Sequence, residues 1–209
     1  MAAMAVAVYA VLVLGYFMPG TMLPYKIVWP VAILAAATIS TRNVWAVLAF
    51  AFSALGDFGG AIHNFLLQMG FFALGHVCFI VYFSQRLTKI KRPSRAMIYL
   101  LPILGAFLLI LAKFIILMNV PEGVLKVGTA IYAFLIVVMA ELASMQRNLL
   151  SALGGILFVA SDFILAYNKF TAPVDHSGIW IMTTYYAAQL LLFLAIQQFS
   201  GQRRNQVKV

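Results

Sequence analysis

The sequence predicts an all-α, polytopic membrane protein. Of its 209 residues, 65% are hydrophobic and only 9% are charged, and the mean hydropathy is +1.02. A soluble domain has about 45–50% apolar and about 25% charged residues. The apolar stretches are also too long for the alternating strands of an outer-membrane barrel. We therefore expect a single transmembrane domain, residues 1–209, whose helices cross the membrane several times.

Eight apolar stretches divide the chain. They are separated by short segments that contain proline, glycine or charged residues, and each is near the length that crosses a bilayer as a helix. The predicted spans are 3–18, 23–41, 43–59, 65–85, 96–117, 122–145, 149–168 and 177–199.

Proline, glycine and charge delimit the first four spans. The first lacks the basic segment that precedes a cleaved signal sequence and continues into another apolar stretch, so we interpret it as a retained span. The second has Pro24 near its start and ends before Arg42. The third ends at Gly59 and Gly60, and the fourth ends at the basic residue Arg86.

The last four spans follow a long basic connection, residues 86–95, which contains five Lys or Arg residues. The fifth span ends before Pro121, and the sixth ends before Arg147. The seventh ends near Lys169, and the eighth begins after Asp175.

The basic residues predict that both termini are cytoplasmic. With eight spans, the termini and the even-numbered connections share one side and contain ten Lys or Arg residues, whereas the other side contains four. The positive-inside rule places the ten in the cytoplasm. In a bacterium this membrane would be the plasma or inner membrane. Topology and contact with anionic membrane lipids also explain the net charge of +9, so we expect no nucleic-acid partner.

An internal repeat supports eight spans. A shift of 105 residues aligns Arg42-Asn43 with Arg147-Asn148, and it aligns Asp57 with Asp162. Because the shift covers four spans, it predicts a four-plus-four repeat whose halves have the same orientation.

Three ionisable residues within spans are candidate catalytic groups: Asp57, Asp162 and His76. A charge at a helix centre costs about 2.5–3.5 kcal/mol, so such residues usually face the protein interior and have a function. The aspartates could instead be interfacial, and His76 could be a hydrogen-bonded structural group. Because span four follows span three, we expect His76 to lie within reach of Asp57, and we expect it to orient one of the two aspartates.

Five further residues are candidate substrate-binding groups: Lys26, Asn168, Tyr185, Tyr186 and Gln189. Tyr185 and Gln189 share one helical face, which we expect to lie opposite Asp162 and Asn168. Headgroup contact by Lys26, and an aromatic belt or interhelical hydrogen bonds in span eight, are the structural alternatives. The sequence contains no metal-binding, nucleotide-binding or serine-hydrolase motif, so we expect no metal and no cofactor. A metal site formed by Asp57, Asp162 and His76 is the alternative.

These polar residues and their surroundings resemble the YhhN family of multi-pass membrane proteins. The similarity extends from about Lys26 to about Phe199, through FSALGDFGG, FFALGHVCFIVYF, LFVASDFILAYNKF and YYAAQLLLF. The chain has Lys26-Ile27 where relatives often have Lys-Pro, and Phe79 where an aromatic hydroxyl often follows the histidine.

The resemblance implies a hydrolase that cleaves the vinyl ether bond of a lysoplasmalogen to a fatty aldehyde and a glycerophospho-alcohol. Protonation of the vinyl β-carbon gives an oxocarbenium ion that water captures, and this chemistry needs one carboxylic acid and one carboxylate. We expect Asp57 and Asp162 to divide these roles, with a lysophospholipid as substrate. A hydrolase of another lipid and a proton-coupled transporter of a small amphiphile are the alternatives, and the oligomeric state is left open.

Overall fold

The computed structural model describes residues 2–20, 23–88 and 95–207, without the side chains of residues 95, 96 and 203–207. Over these ranges the chain is helical and has no β-strand, which confirms the all-α prediction. Two short 3-10 turns, Ile39–Thr41 and Leu117–Asn119, follow the second and fifth helices. The helices are α1 (Ala2–Phe17), α2 (Val28–Thr38), α3 (Val44–Ala61), α4 (Phe65–Leu87), α5 (Arg95–Ile115), α6 (Val124–Ser144), α7 (Leu149–Phe170) and α8 (Ser177–Val207).

Six of these helices, α3 to α8, are long and apolar enough to cross a membrane, and the chain is a multi-pass membrane protein. The two shorter apolar helices are α1 and α2 with its 3-10 turn. Residues 89–94 of the predicted basic connection, the side chains of Arg203 and Arg204, and Lys208 lie outside the described residues.

Helix α2 begins at Val28, five residues after the predicted start at residue 23. The intervening segment is a turn in which Tyr25 has a φ of 51° and Trp29 Nε1 donates to the carbonyl oxygen of Pro24 at 2.8 Å. At the other end of the chain α8 runs to Val207, beyond the predicted end at residue 199.

Helices α3 and α7 begin in the same way. The side chain of Asn43 accepts a hydrogen bond from the backbone nitrogen of Ala46, and that of Asn148 accepts one from Ser151. The residues before these caps, Arg42 and Arg147, both have a φ of 55°. An asparagine cap satisfies one of the unpaired amide groups of the first turn, so both starts are fixed locally.

The most extensive helix contacts are within two sequential pairs, α3 with α4 and α7 with α8, and α6 packs against both α4 and α7. Gly59 permits the closest approach in the first pair, because a Cβ atom there would lie 2.6 Å from the backbone nitrogen of Gln68. At Gly155, a Cβ atom would lie 3.0 Å from Cα of Ala140 on α6. These small residues bring together the helices that carry the candidate catalytic groups.

Helix α5 lies at the periphery and packs chiefly against α6. It is the least buried of the six long helices, and large apolar side chains such as Phe107 and Phe114 are exposed on it. In a membrane protein such a face contacts lipid.

Candidate active site

Asp162, Tyr132 and His76 form a hydrogen-bonded chain across α7, α6 and α4. The Tyr132 hydroxyl donates to Oδ2 of Asp162, and His76 Nε2 lies 3.0 Å from the same hydroxyl oxygen and 3.8 Å from Oδ2. Because the tyrosine hydrogen is donated to the carboxylate, the tyrosine oxygen accepts from the Nε2–H tautomer of His76. In this series of hydrogen bonds, His76 donates to Tyr132 and Tyr132 donates to Asp162.

His76 is buried at 1% exposure, whereas the side chain of Asp162 keeps 12%. Among the described residues nothing hydrogen-bonds to His76 Nδ1. Its ring packs edge-to-face against Phe158, with ring centroids 4.7 Å apart. The histidine is thus enclosed by aromatic side chains and linked to Asp162 through Tyr132.

Asp57 has a different tyrosine partner. The Tyr185 hydroxyl of α8 donates to Asp57 Oδ2 at 2.9 Å, and both residues are buried. The ring of Phe158 contacts both Tyr185 and His76, so it connects the two hydrogen-bonded groups. Each aspartate is therefore held by a tyrosine from another helix, with an aromatic ring between the two arrangements.

An apolar cavity lies beside Asp162. It has a volume of about 110 Å³, lies between α4, α5, α6 and α7, and is partly open to the surroundings. Asp162 and Tyr132 are on its wall, together with Gln68 and Thr129, and the remaining lining is almost entirely apolar. Asp57 and His76 are not among the lining residues. A carboxyl group on the wall of an apolar cavity between helices is typical of a site for an amphiphilic ligand.

The aspartate that contacts His76 among the described residues is Asp162, and not Asp57. We expected His76 to reach Asp57 on α3, but its side chain faces α6 and Asp162, because α4 packs against α6 as well as α3. Similarly, Tyr185 was expected to lie opposite Asp162, and it contacts Asp57 instead.

The other predicted binding residues lie away from the cavity wall. Tyr186 donates to the carbonyl oxygen of Ile27 at 3.1 Å, and Lys26 Nζ lies 5.3 Å from the centroid of the Tyr16 ring. The side chain of Asn168 accepts from the backbone nitrogen of Val174 at 2.9 Å and so closes the connection after α7. Gln189 is fully buried one turn after Tyr185.

Sequence reasoning missed Tyr132. The available signal was a hydroxyl-bearing side chain well inside the apolar stretch 122–145, where it needs a hydrogen-bond partner. Its depth in span six is similar to that of Asp162 in span seven, as expected for a contact between adjacent antiparallel helices.

Among the described residues, no three His, Cys, Asp or Glu side chains are placed to share a metal ion. The helices also bear on the transporter alternative, which predicts broken helices near the midplane. Helix α3 is continuous through Gly59 and Gly60, and α7 is continuous through Gly154 and Gly155.

Comparison with protein families gives a match over most of the chain: the YhhN family matches residues 16–196. Similar curated proteins are lysoplasmalogenase TMEM86B of Sus scrofa, 42% identical over 52 residues, and lysoplasmalogenase TMEM86B of Homo sapiens, 52% identical over 42 residues. Lysoplasmalogenase TMEM86A of Bos taurus is 46% identical over 48 residues.

These alignments are short. They cover 25%, 20% and 23% of this chain, respectively, and 23%, 19% and 20% of the three relatives. The chain thus matches about a fifth of the length of these curated relatives. No solved structure matches it.

Proposed function

The chain belongs to the YhhN family, and from this membership we propose that it hydrolyses the vinyl ether bond of lysoplasmalogens, giving a fatty aldehyde and a glycerophospho-alcohol. The observation that carries the proposal is the Asp162 carboxyl group on the wall of an apolar cavity, with Tyr132 and His76 arranged behind it. The relatives named lysoplasmalogenases support the same reaction.

In the proposed reaction Asp162 donates one proton to the substrate and later accepts one from water. As a carboxylic acid it transfers its proton to the vinyl β-carbon, and the π electrons of the double bond form the new C–H bond. The adjacent carbon becomes an oxocarbenium ion. Water then attacks that carbon and gives its proton to the Asp162 carboxylate, which restores the acid. The resulting hemiacetal collapses to the aldehyde and the alcohol.

Tyr132 and His76 support the carboxylate stage of this cycle. Once Asp162 has given up its proton, the hydroxyl of Tyr132 donates to the charged oxygen, and the Nε2–H group of His76 donates to the tyrosine oxygen. Donors that are already oriented towards a developing charge stabilise it without reorganisation, and they act most strongly where water is excluded.

Asp57 has a positioning role in this proposal, through Tyr185 and Phe158. The division of acid and base roles between Asp57 and Asp162 is the alternative mechanism, and it requires a proton path from the buried Asp57 to the substrate. An Asp57→Asn variant separates the two, since asparagine keeps an acceptor for the Tyr185 hydroxyl but cannot supply a proton.

The defining experiment measures aldehyde release from a lysoplasmalogen by the purified protein in detergent. The controls are the Asp162→Asn variant and a matched lysophospholipid with an ester in place of the vinyl ether, for which release of the fatty acid is measured. Aldehyde from the wild type alone, and only from the vinyl ether lipid, is the expected result. Cleavage of the ester lipid would make the protein a hydrolase of another lipid class, and no product from either would contradict the proposal.

We extend the proposal to topology: α1 and α2 complete eight spans in two same-orientation halves, with both termini cytoplasmic. Helix α1 has 16 residues and a length of about 24 Å, somewhat below a hydrocarbon core of about 30 Å. The matching caps of α3 and α7 support the repeat. Labelling of single cysteines placed in the connections, in intact cells and in opened vesicles, tests the orientation.

A further inference from the structure

Lys169 lies at one end of the cavity beside Asp162. Its Nζ is 4.5 Å from the ring centroid of Phe65 and 5.9 Å from that of Phe170, and these two rings pack edge-to-face at 5.7 Å. Both rings line the cavity, and they belong to the first residue of α4 and the last residue of α7. The ammonium group is therefore held at the rim, where the bundle ends.

The charge of Lys169 has no carboxylate partner within 4.0 Å among the described residues. Lys126 differs, because its Nζ lies 2.5 Å from Oε1 of Glu122, one turn away on the chain. Neither lysine is itself a lining residue, but Lys169 lies against two residues that are, Phe65 and Phe170. Of these two lysines, Lys169 is thus the one that combines an available charge with contact to cavity residues.

The spacing between Lys169 and Asp162 matches the proposed substrate. Lys169 follows Asp162 by seven residues on α7, which gives a rise of about 10.5 Å and nearly the same helical face. In an extended lysoplasmalogen, about seven covalent bonds separate the vinyl β-carbon from the phosphorus, a distance of about 9 Å. A vinyl ether at Asp162 therefore places the phosphate near the lysine ammonium group.

We propose that Lys169, held against Phe65 and Phe170, binds the phosphate of the lysophospholipid headgroup. This contact would set the depth at which the alkenyl chain of the lipid enters the cavity. An ammonium group donates up to three hydrogen bonds to phosphate oxygens, and these are charge-assisted. The inference rests on the proposed function and adds to it a headgroup site and a reason for selecting phosphate-bearing lipids.

The test compares two substrates with the same alkenyl chain: a lysoplasmalogen and the corresponding alkenylglycerol, which has the vinyl ether but no phosphate. Each is assayed with the wild type, Lys169→Met, Lys169→Arg and the control Lys126→Met, in a detergent without phosphate groups. For Lys169→Met we expect KM for the lysoplasmalogen to rise about tenfold at nearly unchanged kcat, while hydrolysis of the alkenylglycerol is unaffected. Lys169→Arg should restore most of the affinity, and Lys126→Met should resemble the wild type.

Three outcomes would overturn the site. An unchanged KM in Lys169→Met, with both substrates hydrolysed by the wild type, would show that the phosphate is not bound there. Equal losses on both substrates would indicate a structural role for Lys169. Equal inhibition of alkenylglycerol hydrolysis by millimolar inorganic phosphate in the wild type and in Lys169→Met would place the phosphate-binding site away from Lys169. If the wild type hydrolyses neither substrate, the proposed function itself fails.

Discussion

The hydroxyl group of Tyr132 on α6 donates a hydrogen bond to the carboxylate of Asp162 on α7. Both residues are on the cavity wall, so this bond lies where a ligand would be bound. It also fixes the direction of the contact with His76, whose Nε2 lies behind the tyrosine oxygen. The site thus has one accessible carboxyl group, with Tyr132 beside it on the cavity wall and the buried His76 behind the tyrosine.

Asparagine substitutions distinguish the two aspartates. We expect Asp162→Asn to lower kcat by about 10²–10⁴-fold, because it removes the group that exchanges protons with substrate and water. Asp57→Asn should retain measurable turnover, since the Tyr185 contact is preserved. Aldehyde release under saturating substrate, with monodispersity checked by size-exclusion chromatography, measures both. Equal, complete loss would favour a shared acid/base pair, and full activity in Asp162→Asn would exclude it as the reacting group.

Removal of one hydroxyl tests Tyr132. Tyr132→Phe leaves His76 Nε2 at 3.8 Å from the carboxylate with no donor between them, and we expect kcat to fall about a hundredfold with little change in KM. The matched control is Tyr167→Phe on α7, a tyrosine that stacks on Phe163, and its activity should be unchanged. Initial rates over a range of substrate concentrations give kcat and KM for both. A loss confined to KM would place Tyr132 in binding alone.

A larger side chain on the cavity wall should exclude the long alkenyl chain of the substrate. Ala133 of α6 lines the cavity, and Ala133→Phe should lower kcat/KM by more than about tenfold, because the new ring occupies space needed by the substrate. Ala130→Phe is the control on the same helix, since Ala130 is exposed and absent from the lining. Assays with alkenyl chains of decreasing length should show partial recovery in Ala133→Phe. Equal effects of the two substitutions would argue against this cavity as the chain site.

The close contact of α3 with α4 predicts a loss of stability on substitution of Gly59. A Cβ atom there would lie 2.6 Å from a backbone nitrogen, so Gly59→Ala should destabilise the fold by about 1–3 kcal/mol. At Gly70 a Cβ atom would meet nothing within 4 Å, and Gly70→Ala should leave Tm unchanged or slightly raise it. Thermal unfolding in detergent, followed by loss of the monodisperse peak, compares the variants. A Gly59→Ala protein as stable as the wild type would contradict the observed packing.

The helices could be predicted from the sequence to a large extent, because apolar stretches and their boundaries are local properties. The late start of α2 was not predicted, since it depends on the turn at Tyr25 and the Trp29 contact with Pro24. The candidate charged groups were also identified from their cost in a membrane. Their pairing was not, because a sequence gives the depth of a side chain within a helix but not the rotation of that helix about its axis.

That rotation explains both errors at the site. His76 could face α3 or α6 from the same depth, and only packing decides that it meets Asp162. Tyr132 was overlooked because a single tyrosine in an apolar helix carries no charge, and its role depends on neighbours that are distant in sequence. Tyr185, by contrast, was identified as a candidate, although its partner is Asp57.

Helix α5 lies at the periphery of the bundle, next to the cavity that contains Asp162 on its wall. Helix α5 supplies one wall of the cavity, yet the hydrogen bonds that hold Asp57 and Asp162 join residues of α3, α4, α6, α7 and α8. Displacement of α5 would therefore leave every one of those bonds intact. Only the cavity wall, and not the hydrogen-bonded support of the two aspartates, therefore depends on the position of α5.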